Sequence, residues 1–199
     1  IMPLGAFKAA LMGTAGVSTA DVVLLHDTDY SGATTASITS GIDSTYGEYI
    51  FRFYNINPVT DNATLQFQVN ATDDPGGGYD TSLITSTTFV AQQNEAGNDT
   101  GFDYRTGSDQ AQAAGFQDIS FSIGNGGDEN FAGDMHLFNP SSTTYVKHFY
   151  SRGNSVNSSA YSNDFFAAGY INDTTAIDDI QFKMSSGNFD GTIKMWGVK

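Results

Sequence analysis

Apolar and polar residues alternate in short bursts along this chain, and turn-forming clusters separate the bursts. Residues 63–70, ATLQFQVN, alternate cleanly, with Leu65, Phe67 and Val69 on one face and Thr64, Gln66 and Gln68 on the other. Residues 117–123, QDISFSI, repeat the pattern with Ile119, Phe121 and Ile123. A period of two is the signature of a half-buried strand. Further strands are predicted at 21–26 (DVVLLH, a compact apolar run suited to burial), 36–42, 48–56 and 84–92. Three more follow at 164–171, 177–185 and 191–199. Breakers such as Asn57-Pro58, residues 73–80 (DDPGGGYD) and 124–130 (GNGGDEN) separate them. Residues 94–115 and 151–163 read as polar loops, the first with at most one helical turn over 109–114.

The stretch 135–150, MHLFNPSSTTYVKHFY, reads as a hairpin. Met135–Phe138 and Thr144–Tyr150 form its strands, and Asn139-Pro140-Ser141-Ser142 forms its turn, because proline lacks an N–H and Asn and Ser bond their own backbone. Tyr145, Lys147 and Phe149 point one way, and Val146, His148 and Tyr150 the other. Apolar groups on both sides require cover on both, from this chain or from a neighbouring copy. Ten or eleven strands without intervening helices predict an all-β fold. The expected form is a two-sheet antiparallel β-sandwich of jelly-roll type over residues 21–199. Residues 1–20 are expected to form a short N-terminal helical or extended arm, with Leu4, Phe7, Leu11 and Met12 as an apolar set. Lys8 sits inside this apolar stretch rather than ahead of it, which is wrong for a secretion signal.

Composition supports the pattern. In 199 residues there are 15 Phe, 10 Tyr and 22 Gly but 4 Pro, a balance that favours pleated sheet with tight turns. Cysteine is absent, so packing rather than disulfides must stabilise the domain. The net charge is −14, with 8 Lys and Arg against 22 Asp and Glu. Phosphate backbones and anionic membranes require clustered cations, so neither nucleic acid nor membrane is expected as a partner.

Candidate chemistry is sparse. The three histidines, His26, His136 and His148, match no metalloprotease spacing, although His136 and His148 could face each other across the hairpin. Glutamate occurs only at 48, 95 and 129, which opposes a glycosidase pair. No nucleophile elbow or phosphate loop is present, so no enzyme activity and no catalytic residue are expected. Calcium is the one cofactor with candidate ligands, at Asp27 and Asp29, at Asp73, Asp74 and Asp80, and at Asp128 and Glu129. Turn formation explains those acids equally well.

Four blocks, MPLGAFKAALMGTAGVS (2–18), GIDSTYGEYIFRFYNINPVTDN (41–62), MHLFNPSSTTYVKHFY (135–150) and AIDDIQFKMSSGNFDGTIKMWGVK (176–199), carry a resemblance spanning Met2 to Lys199. Through them the chain resembles virion structural proteins of marine tailed bacteriophages, including cyanobacterial phages. The resemblance implies a particle component built from β-sandwich subunits, and the role expected for it is an exterior part of the capsid or tail, a decoration (cement) protein or an appendage subunit. Its partners would be other virion proteins and further copies of itself. A homo-oligomer, expected to be a trimer, should contact neighbours through Leu4, Phe7, Leu11 and Met12. The alternative is a carbohydrate-binding host-attachment module. For it Tyr79, Tyr104 and Tyr161, placed in loops, are the candidate glycan contacts, while Trp196 in the last strand is expected to pack in the core.

Overall fold

The computed structural model describes residues 21–72, 78–79 and 82–199. Among them there is no helix and there are thirteen strands. These are β1 (Val22–Ala33), β2 (Ala36–Ile38), β3 (Glu48–Pro58), β4 (Leu65–Ala71), β5 (Ile84–Asn94), β6 (Thr100–Tyr104) and β7 (Ala111–Ala113). They continue as β8 (Gln117–Asp118), β9 (Phe131–Phe138), β10 (Lys147–Val156), β11 (Tyr161–Ile171), β12 (Ile177–Met184) and β13 (Phe189–Val198). Two antiparallel sheets pack together as a β-sandwich, as the alternation predicts. The wide sheet runs β1-β13-β3-β9-β10-β11-β5-β6, with β7 also on β5, and the narrow one runs β2-β12-β4-β8.

Aromatic side chains join the layers. Phe51 and Phe53 of β3 meet Phe182 of β12 edge-on at 5.4 and 5.1 Å, and Phe67 of β4 meets Phe149 of β10 at 4.9 Å. Each buried ring contributes about 1.5–3 kcal/mol through burial, and edge-to-face pairing adds roughly 0.5–1.5. Leu65, Phe67, Val69, Ile119, Ile123, Ile180, Phe182, Ile193 and Met195 are fully buried, as their phase predicts.

Phe121 is only partly buried. Regular pairing after β8 stops at Asp118, because the Ser120 hydroxyl accepts the Leu65 N–H and Ser122 has φ +47°. Phe121 therefore leaves the alternation, stacking on Phe165 with the Arg105 guanidinium 4.1 Å above it.

Three other expectations are corrected. Residues 21–26 do not make a buried strand: β1 lies at the sheet edge, with Val22 and Leu24 exposed. The polar stretches 94–115 and 151–163 hold β6, β7, the end of β10 and the start of β11. At the end of β10 the inward positions are Ser151, Gly153 and Ser155, which hides the period. The second hairpin strand starts at Lys147, not Thr144, leaving Tyr145 exposed in the connection. Lys147 points inward as expected, fully buried, and its ammonium donates to the backbone carbonyls of Asp173 and Thr175, tying down the β11–β12 connection.

Glycine is required where β9 and β10 cross the core. Gly133 pairs with Gly153, and a Cβ on Gly153 would lie 2.2 Å from the Phe131 ring. The missing side chains make room for that ring between the layers.

Candidate interaction surface

The narrow sheet covers one face of the wide sheet, and the alternation delivers a second set of residues to the other face. On β13 and β3 these are Trp196 and Lys194, opposite Ile50 and Arg52. Leu24 of β1 pairs with Trp196, and Val22 with Val198. The Arg52 guanidinium lies 5.6 Å from the Trp196 ring. Val22, Ile50, Arg52 and Trp196 line a shallow cleft of about 230 Å³. Val22 is 56% and Leu24 48% exposed beside it. Lys194 closes the polar side of this region, 2.9 Å from Asp27 and 6.0 Å from the Tyr54 ring. Trp196 thus faces outward. It does not pack in the core as expected, because the β13 register sends odd-numbered residues such as Ile193 and Met195 inward.

Midway across, His136 of β9 carries Glu48 2.5 Å from Nδ1 and Asp134 3.9 Å from Nε2. Its ring stacks on Tyr150 at 4.4 Å. Tyr150, not His148, stands opposite His136 in the register, so the two histidines do not face each other. Partial burial, with Asp134 and Glu48 nearby, holds the Tyr150 phenol above its ordinary range.

At the far end, Phe89 of β5 stacks on Phe166 of β11 at 4.8 Å and tilts against Phe102 of β6 at 5.3 Å. Phe102 is 70% exposed. Arg152 lies 4.8 Å over Phe166 and donates twice to Asp164, at 3.1 and 2.8 Å. Next to these rings, Ala91, Gln92, Gln93, Thr100, Gly101, Ser162 and Asp164 line a cleft of about 280 Å³.

The three tyrosines expected as glycan contacts do not converge. Tyr104 is on β6 rather than in a loop, exposed on the outer face, with its hydroxyl donating to Asp109 at 2.6 Å. Tyr161 is the first residue of β11, in the phase opposite to Phe166, and its hydroxyl donates to Asp99 at 2.5 Å. Tyr79 is partly buried beside Asp179, Asp178 and Ser37, at the narrow sheet. The arm residues Leu4, Phe7, Leu11 and Met12 lie outside the described residues. The rings that do cluster, Phe89, Phe102 and Phe166, escaped the sequence reading. DFFAAGYI carries aromatics in both phases, and only one phase can be core.

Among the described residues no group of three or more His, Asp or Glu side chains is arranged to hold a metal ion. Asp27 and Asp29, expected in a loop, sit within β1, engaged with Lys194 and the Thr192 hydroxyl. Glu129 folds back on the Gly126 N–H at 2.8 Å, the turn-forming role available to it, and Asp73, Asp74 and Asp80 lie outside the described residues. His26 donates to or accepts from Tyr30 at 3.2 Å. Desolvation pushes its imidazole pKa down, against the pull of Asp27. Comparison with known protein families and with curated proteins finds no match to this chain.

Proposed function

We propose that this chain is a non-enzymatic structural protein of a tailed-bacteriophage particle, carried on the exterior of the capsid or tail as a decoration protein or appendage subunit. The observation that carries the reading is the outer face of the wide sheet, which no other described residues cover. Val22 and Leu24 are exposed there, and the half-buried Ile50 and Trp196 line the cleft beside them. Contiguous exposed apolar surface on a folded domain marks a contact with another molecule. The resemblance of the four sequence blocks to virion proteins supplies the setting.

Other copies of the chain and other virion proteins are the partners this reading requires. Copies at −14 repel one another, so the contact between them has to be apolar and tightens as salt screens the charge. The first 20 residues carry Lys8 as their one charge, and their apolar side chains Leu4, Phe7, Leu11 and Met12 suit the Trp196 cleft of a neighbouring copy. A trimer is the working stoichiometry. Sedimentation of the full chain at low and high salt, beside a chain lacking residues 2–16, tests the assembly. The expected result is an oligomer that tightens with salt and falls to monomer on truncation. A full chain that stays monomeric and is missing from purified particles overturns the reading.

A further inference from the structure

We infer that the Phe102 end of the outer face is a binding site for a neutral polysaccharide. The inference goes beyond the assembly role, which uses the opposite end of the sheet. Three features converge. Phe102 presents a ring 70% exposed on the edge strand β6, backed by Phe89 and Phe166, which stack on each other 4.8 Å apart. Such a platform suits the flat C–H face of a pyranose, which stacks on aromatic rings while its hydroxyls point sideways. The adjoining cleft supplies what those hydroxyls need. Asp164 and Gln93 offer planar polar groups, Thr100 and Ser162 offer hydroxyls, and Ala91 and Gly101 keep the floor low. The depression is shallow and open, and it sets an apolar floor beside a few polar groups, the pairing of chemistries that small-molecule sites use. Its volume, about 280 Å³, gives room for one sugar unit and leaves the rest of a chain to run along the rings.

The polar groups are preorganised. Asp164 is held by both donors of Arg152, and Arg152 is in turn fixed against the Phe166 ring. A carboxylate oriented in this way retains lone pairs for a hydroxyl donor without paying to order its own side chain.

Charge selects among occupants. Asp99 precedes β6, Asp103 lies within it and Asp109 accepts from the Tyr104 hydroxyl, and the chain as a whole is at −14. An acidic polysaccharide or a second copy presenting this same end would be repelled. A neutral glycan meets no such cost.

Native gels cast with mannan, dextran or laminarin, and a control gel with alginate, test the site on the full chain. The wild-type chain should be retarded in at least one neutral gel and run freely in alginate. Phe102→Ala should weaken the retardation at least tenfold, Phe102→Tyr should keep it, and Asp164→Asn should weaken it, all without a change of melting temperature. No retardation in any neutral gel, retardation in alginate alone, or a Phe102→Ala chain retarded like wild type overturns the site. Sedimentation of the same samples separates this result from the assembly reading. Loss of retardation at unchanged mass upholds the glycan site. A Phe102→Ala chain whose mass falls, with no glycan retardation in wild type, makes the patch a contact between copies and overturns it.

Discussion

The two faces of the wide sheet use the same residue type for opposite ends. Phe51, Phe53 and Phe149 point inward, and their rings meet Phe182 and Phe67 of the other sheet edge-on, at 60°, 75° and 77°. Phe89 and Phe166, and likewise His136 and Tyr150, point outward and lie nearly parallel, at 15°. Rings arriving from opposed layers interdigitate and fill volume. Rings on neighbouring strands of the outer face have no opposing layer to enter, and they lie nearly parallel in these two pairs or tilted, as where Phe89 meets Phe102 at 44°. The first arrangement maximises contact and stabilises the fold; the second leaves ring surface available to a partner.

Truncation inside should therefore cost far more than truncation outside. Phe53 is fully buried against Phe131 and Phe182, so Phe53→Ala should lower stability by about 3–5 kcal/mol, read from the urea midpoint at constant slope. A loss under about 1 kcal/mol would mean that the inner rings are not what holds the layers together.

Filling space inside should cost less than emptying it, but still measurably. Gly153→Ala drives a methyl to 2.2 Å from the Phe131 ring and 2.9 Å from the Ala132 carbonyl oxygen. The ring must turn away, which overpacking data put at about 1–3 kcal/mol. Pairing the substitution with Phe131→Leu should recover part of that loss, and a double variant no better than the single one would place the strain in the backbone instead.

Much of this inner face was legible in the sequence. ATLQFQVN and QFKMS alternate with one apolar phase, and that phase is core. The outer face was not legible, because period two states that neighbouring residues oppose each other without stating which side is covered. In DFFAAGYI both phases carry rings; Phe165 went inward and Phe166 outward. Trp196 faces outward beside the correctly expected core residue Met195, and DVVLLH is an exposed edge strand. The scatter of the glycan candidates has a different origin. Each of Tyr79, Tyr104 and Tyr161 reads locally as a loop residue, and convergence is a property of strand order, which local patterns do not encode. The polar segments 94–104 and 151–163 hid strands whose partners are far along the chain.

Titration offers a smaller contrast of opposite signs. The folded-state pKa of His26 is depressed by burial, so the unfolded chain takes up a proton first as the pH falls below about 6.5. From this group alone, stability should decline from pH 7.5 to pH 5.5, and His26→Gln should remove that part of the slope. Asp118 behaves the other way. Burial beside β4 raises its pKa despite the Gln66 and Ser108 hydrogen bonds, so its contribution improves as acid protonates the folded form first. Asp118→Asn should leave stability at pH 7 unchanged or higher; a clear loss would show that the carboxylate's hydrogen bonds outweigh its desolvation.

The smallest stability effect belongs to the most exposed ring. Phe102 rests on Phe89 at an edge strand and is mostly in water already, so Phe102→Ala removes little buried area. A surface change of this kind should alter stability by less than about 0.5 kcal/mol. Phe166→Ala is the sharper companion. That ring lies between Phe89 and the Arg152 guanidinium, so its loss should cost more than that of Phe102 and less than that of Phe53. The order Phe53, Phe166, Phe102 in urea midpoints is thus the expected outcome, reversed from the order expected for binding at the outer face. If Phe102→Ala destabilises as much as Phe53→Ala, the outer rings are part of the fold's own support, and the division of labour between the two faces fails.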